Sequence, residues 1–216
     1  MEAKVYRCMS DVKVTLIDYG MGNIWSVLSA LRYLGCNVIV SSDPVVIKES
    51  ETLLLPGVGS FRKAMKSLQE LKLDEAIIES VQGGGNKILG ICLGMQLLGS
   101  KSSEDGETVG LNLIPASVEE FSRKDIGAIK VPHIGFDQVS SQAEAKLFQG
   151  LPGSPDFYFV HSFRMLPDGL NGIPATCRYG TDFLAAYENE NIYATQFHPE
   201  KSQTNGLILL RNFLAA

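Results

Sequence analysis

The first hundred residues alternate between two hydrophobic periods. VKVTLID, from Val12 to Asp18, is apolar and β-branched, and the turn-prone YGMGN follows it, which predicts a strand. NIWSVLSALRYLG then sets Ile24, Val27, Leu28, Leu31 and Leu34 at helical spacing, with Gly35 as the stop. NVIV (Asn37 to Val40) and TLLL (Thr52 to Leu55) predict two more strands, the second ended by Pro56. SFRKAMKSLQEL, with Ser60 as its cap, puts Phe61, Met65, Leu68 and Leu71 on one stripe. LDEAIIESV continues as helix up to Gly83, Gly84 and Gly85, and KILGIC predicts a buried strand feeding a helix through Gly94. Strands alternating with helices predict an α/β fold: a doubly wound, mainly parallel, flavodoxin-like sheet with helices on both faces.

The second half has a different texture. Glu107 to Asp137 holds short β-like pieces and turns without a strong helix. DFYFVHSF (Asp156 to Phe163) predicts a strand, and Phe183 to Phe197 predicts a hairpin turning at Asn189, Glu190 and Asn191. This adds an antiparallel portion to the sheet before TNGLILLRNFLAA closes the chain as a helix. No repeat, low-complexity tract or linker interrupts the pattern, so one domain is expected.

Composition narrows the function classes. The chain has 216 residues, 45% hydrophobic and 20% charged, enough for a large core. A formal net charge of -5 gives no basic footprint for nucleic acid. The apolar runs are too short to span a bilayer, and MEAKVYRCMSD has neither the apolar core nor the cleavage site of a signal peptide. A cytoplasmic protein is expected. Cys8, Cys36, Cys92 and Cys177 are scattered without a CxxC pair, which predicts reduced thiols rather than a disulfide framework.

One cysteine has a special setting. In Gly90-Ile91-Cys92-Leu93-Gly94 a buried strand delivers the thiol and a helix leaves at once, the layout of a nucleophile elbow. Flanking glycines would permit the sharp turn, the helix N-terminus favours a thiolate, and the Leu93 N–H points where an oxyanion would develop. A tight turn whose small residue happens to be cysteine fits the motif equally well. A nucleophile needs a base. His133 in VPHIGF and His161 in VHSF sit in apolar strands and read as packed, hydrogen-bonded residues. His198 ends a strand and is followed by Pro199 and Glu200, so a carboxylate can fold back to orient the imidazole. A zinc deaminase would need P-C-x-x-C after H-x-E, and none follows, so no metal is expected. A second oxyanion donor could come from Pro56-Gly57-Val58-Gly59, where two glycines leave the Val58 peptide free to rotate. The same stretch lacks the lysine and hydroxyl residue of a phosphate-binding loop.

G-x-C-x-G-x-Q in mid-chain and H-P-E near the end resemble the class I glutamine amidotransferase family. IDYGMGN, LPGVGSF, GICLGMQLL, VPHIGF and QFHPEKS are similar, within that family, to the glutaminase subunits of imidazole-glycerol-phosphate synthase, the HisH type. The resemblance runs from about Val12 to the C-terminus and leaves residues 1–11 as an N-terminal extension ahead of a catalytic domain at 12–216. It implies hydrolysis of glutamine to glutamate, with the ammonia passed to a synthase partner of the (β/α)₈, HisF-like type in a heterodimer, and no cofactor. Carried over by residue, Cys92 is the nucleophile, His198 its base, and Glu200 the residue that orients His198. Gln96 and the backbone at Ser162 and Phe163 would hold the substrate, and Gly57, Val58 and Leu93 would form the oxyanion hole. Phe136 departs from the family's usual tryptophan after the PH motif, near the partner-facing region. A HisH-like ammonia donor for a surface-sugar amidotransferase therefore stays open, as do a stand-alone cysteine hydrolase and a non-catalytic flavodoxin-like module.

Overall fold

The computed structural model describes residues 11–167 and 169–216. Residues 1–10 of the expected extension, Cys8 among them, lie outside the described residues. The chain runs β1 (Lys13–Ile17), α1 (Ile24–Tyr33), β2 (Asn37–Ser41), α2 (Pro44–Lys48), β3 (Thr52–Gly57), α3 (Phe61–Glu70) and α4 (Leu73–Ile78). β4 (Lys87–Cys92) and α5 (Leu93–Leu98) follow, then three short strands, β5 (Lys101–Ser102), β6 (Thr108–Val109) and β7 (Ser117–Glu120). α6 (Arg123–Ile126) is a single turn before β8 (His133–Gln138), β9 (Asp156–His161) and β10 (Phe163–Met165). β11 (Ile173–Tyr179), β12 (Thr181–Asn189), β13 (Ile192–Thr195) and α7 (Gln203–Ala215) end the chain.

Seven strands form the main sheet in the order β11-β12-β13-β4-β3-β1-β2. Strands β2, β1, β3, β4 and β13 are parallel, while β12 and β11 add on antiparallel, as the alternation and the hairpin predict. Every residue of β3 is buried, the mark of a central strand covered on both faces. Helices α1 and α7 cover one face, with Val27, Leu28, Leu31, Leu209, Leu210 and Phe213 in one core cluster. Helices α3, α4 and α5 cover the other, through Phe61, Met65, Leu68, Ile77, Met95 and Leu97. Burial of a side chain such as Phe61 or Leu68 contributes about 1.5–3 kcal/mol, which fixes each helix by its stripe. Behind the site, Lys87 Nζ reaches the carbonyls of Phe213 and Leu214 at 3.0 Å and satisfies the end of α7.

Three local expectations need correction. Pro56 does not end its strand: β3 continues through Gly57, and Gly57 stands in register with Cys92. Leu71 leaves the α3 stripe, because it is the C-terminal cap and is 40% exposed. Ser60 occupies the N-cap position of α3 without capping by its side chain. The Phe61 N–H is met by Glu104 Oε2 at 2.8 Å instead, and Ser60 Oγ donates to Asp105 Oδ2 at 3.3 Å. A carboxylate at a helix N-terminus does both jobs of a cap, accepting the N–H and complementing the dipole.

Candidate active site

β4 ends on Cys92 between the end of β3 and the end of β13, where Thr195 pairs with Ile91. Cys92 has φ 55° and ψ -110°, a region that non-glycine residues rarely occupy and that stores strain at functional positions. The turn therefore falls on the cysteine itself. Gly90 and Gly94 have no positive φ and are needed for a different reason than the sequence suggested. A Cβ on Gly94 would overlap the Leu55 carbonyl, and one on Gly90 would lie 2.8 Å from Gly94 O and Met95 N. Those two glycines let α5 press directly onto β3 and β4, and that contact holds the strained cysteine in place. Its Sγ lies 3.9 Å from Val160 O and 3.8 Å from Gln196 Nε2.

His198 follows the end of β13 with extended backbone, and Pro199 opens a 3-10 turn that brings Glu200 back beneath the ring. His198 Nδ1 and Glu200 Oε1 are 2.8 Å apart, and both side chains are buried. The His198 backbone is held at both ends. Its N–H donates to Tyr158 O at 2.9 Å, and its carbonyl accepts from Ser202 Oγ at 2.7 Å. Ser202 also accepts from Tyr158 N–H at 3.0 Å, so β9 and the His198 turn share one hydroxyl. Burial pulls the His198 pKa down, but the Cys92 sulfur and the Glu200 carboxylate outweigh it and hold the imidazolium up to about 10. Its Nε2 is buried without a conventional hydrogen bond. A base with one nitrogen fixed by a carboxylate and the other left for a thiol can take and return a proton.

A cavity of about 360 Å³ opens over this pair, lined by Val58, Cys92, Leu93, Gln96, Ser162, Phe163 and His198 among others. Seven of the nine residues proposed from sequence thus face one space. Gly57 and Glu200 do not line it. Leu93 is the first residue of α5, so its N–H has no intrahelical acceptor. The Val58 N–H is engaged elsewhere, donating to Met21 O at 3.2 Å. Gln96 is buried and donates from Nε2 to Phe163 O and to Gln196 Oε1, each at 3.0 Å. Sequence reasoning missed Glu104, which also lines the cavity, and Gln196 and Ser202 beside it. Glu104 comes from the loop after β5, and no local pattern ties that loop to Cys92.

His133 and His161 are buried and hydrogen-bonded, as expected, with each other on one side and with Asp137 Oδ2, 3.1 Å from His133 Nε2, on the other. His133 Nδ1 and His161 Nε2 are 3.1 Å apart across the β8–β9 ribbon, whose register pairs the two residues. His161 Nδ1 donates to Phe163 O at 2.8 Å, and burial drives its pKa down to about 3. His161 itself lines the cavity next to Ser162 and Phe163. Among the described residues, no group of three or more His, Cys, Asp or Glu is arranged to hold a metal ion. No described helix is long and apolar enough to cross a membrane.

Known proteins share this chain's sequence and fold. The family model described as Glutamine amidotransferase class-I matches residues 15–216. The chain is 44% identical over 204 residues to the imidazole glycerol phosphate synthase subunit HisH of Geobacter sulfurreducens, covering 93% of this chain and 97% of that protein. It is 45% identical over 200 residues to the HisH subunit of Moorella thermoacetica, covering 93% of each. In fold it is similar to the structure of PurLQS from Thermotoga maritima, with a TM-score of 0.72 at 16% identity over 94% of this chain and 98% of that one. The chain belongs to the class I glutamine amidotransferase family, in its HisH-like branch.

Proposed function

We propose that this chain is the glutaminase subunit of imidazole-glycerol-phosphate synthase, a cytoplasmic enzyme of histidine biosynthesis. Residues 12–216 form the catalytic domain and residues 1–11 an extension to it. The observation that carries the reading is the strained Cys92 set against the buried His198–Glu200 pair at the floor of one cavity. His198 Nε2 takes the Sγ proton, and Sγ adds to the side-chain amide carbon of glutamine. The Leu93 N–H receives the resulting oxyanion. Collapse breaks the C–N bond, and the imidazolium returns its proton to the departing ammonia, leaving a glutamyl thioester. Water then attacks with His198 as base, releasing glutamate and the free thiol. Glu104 supplies negative charge in the cavity for the substrate ammonium, and Gln96 with the Ser162–Phe163 backbone frames its other end.

The second oxyanion donor is the Val58 N–H, once it leaves Met21 O. Its present hydrogen bond supports a resting state in which the hole is half formed. Removing one oxyanion donor costs about 10²–10³ in kcat, so rotation of this single peptide is enough to gate hydrolysis. A (β/α)₈ synthase partner docked over the mouth would favour the productive orientation and take the ammonia directly. The β8–β9 ribbon offers an apolar face for it beside the cavity: Ile134 is 59% and Phe136 45% exposed, and Phe136 packs edge-on against Tyr158. Hydrolysis should be measured alone, with an imidazole-glycerol-phosphate cyclase, and with a surface-sugar amidotransferase, each with its acceptor. Stimulation by the cyclase alone is expected. Stimulation only by the sugar enzyme reassigns the pathway, and full activity in isolation removes the partner from the account.

A further inference from the structure

Gln196 stands immediately after β13, fully buried, and its backbone N–H donates to Ala185 O at 2.8 Å. The parallel register that pairs Thr195 with Ile91 carries Gln196 to a position beside Cys92. The orientation of its side-chain amide follows from its neighbours. Phe163 O can only accept, so the Gln96 group 3.0 Å from it is the NH₂. That same NH₂ has a second N–H, directed 3.0 Å to Gln196, and the Gln196 atom that meets it is the oxygen. The Gln196 NH₂ therefore has one way to face, toward Cys92 Sγ at 3.8 Å.

We infer that Gln196 is a further catalytic residue, whose amide N–H donates to the Cys92 sulfur and holds the negative charge that forms there when the thiol proton moves to His198. The inference rests on Cys92 being the nucleophile. It follows from what surrounds the sulfur. Val160 O, 3.9 Å away, can accept from the thiol S–H but opposes an ionised sulfur. Once the proton has gone to Nε2 of His198, the Gln196 N–H is the neutral donor that compensates, and the Gln96 clamp keeps it from turning its oxygen inward. Gln96 thereby has a second duty besides lining the cavity, because it fixes a dipole on the nucleophile.

The test is the rate of Cys92 alkylation by iodoacetamide from pH 5 to 9, read by mass spectrometry on the full chain, with kcat and KM for glutamine measured alongside. Gln196→Met keeps the length and removes the donor, and Gln196→Glu keeps the shape and places a carboxylate oxygen against the sulfur. In Gln196→Met, alkylation at pH 7 should slow about tenfold, the low end for one donor to a charged group. The midpoint of its pH curve should rise, and kcat should fall by a similar factor with KM within about twofold. Gln196→Glu should move the curve further in the same direction. In the unmutated chain, the Gln196 side-chain ¹⁵N resonance should follow the Cys92 titration and lose that response in Cys92→Ser, a readout that needs no change at position 196. A pH curve superimposable on the parent in either folded variant, or an amide resonance blind to the thiol, overturns the inference. A parent chain that fails to hydrolyse glutamine even with a synthase partner and its acceptor present, while its thiol curve still responds to Gln196, overturns the glutaminase reading alone.

Discussion

Replacing Glu200 by Gln separates charge from geometry at the proposed catalytic histidine, His198. In the native pair, Glu200 Oε1 lies 2.8 Å from His198 Nδ1, while Oε2 is buried without a partner. A glutamine can keep its oxygen on Nδ1 and put its NH₂ where Oε2 has no partner, so the variant loses a charge and little packing at the cost of one buried N–H group without an acceptor. The imidazolium is held up to about 10 against burial by the Cys92 sulfur and by Glu200, and the substitution removes the second of these. One contacting opposite charge is worth about 1–3 pKa units, or about 1.4–4 kcal/mol. Because the imidazolium forms as the thiol adds, kcat should fall about 10–10³-fold. His198→Ala removes both the base and the acid, and its loss should lie beyond that range, at or above roughly 10⁴. Glutamine hydrolysis by the two variants under full partner stimulation, at saturating substrate, makes the comparison. Equal losses would refute the division of roles, since Glu200 would then be acting as more than an orienting charge.

Other consequences follow from named contacts. Gly94→Ala forces a Cβ onto the Leu55 carbonyl, so α5 must lift from β3; a loss of at least about 3 kcal/mol in denaturant unfolding is expected, against less than 1 for Gly153→Ala, where a Cβ meets nothing. Stability should fall as pH drops below about 6.5, because the unfolded chain protonates His161 while the folded state, with a pKa near 3, does not. Unfolding midpoints from pH 4 to 7 should flatten in His161→Gln. Val58→Pro removes the gated N–H, and partner stimulation should shrink by about 10²–10³-fold with complex formation intact, measured by hydrolysis and by titration of the complex.

Much of this site is legible in the sequence because its chemistry is local. The elbow at Cys92 is a five-residue signal, and His198 and Glu200 are two residues apart, so one turn suffices to bring them together. The β-α alternation likewise announces the parallel sheet, whose strand ends collect Gly57, Cys92 and Gln196. What stayed hidden depends on long-range pairing. Glu104 reaches Phe61 across 43 residues, and Gln196 reaches Cys92 across 104. No spacing rule connects such positions, and only the sheet order does. The β8–β9 register hides the His133–His161 pair in the same way: each histidine alone looks like core, and they become one unit when the ribbon folds. The glycines at 90 and 94 were recognisable as necessary, but their reason, helix-to-strand contact rather than turn conformation, needs the packed neighbours.

The proposed mechanism requires Cys92, alone of the chain's thiols, to form the covalent intermediate. Intact-mass and peptide mass spectrometry after treatment with a glutamine-like chloroketone measures this directly. One label per chain on Cys92 is predicted, with Cys8, Cys36 and Cys177 unmodified and hydrolysis lost in proportion to labelling. Hydrolysis that persists with Cys92 fully labelled, or in Cys92→Ala, would contradict the account.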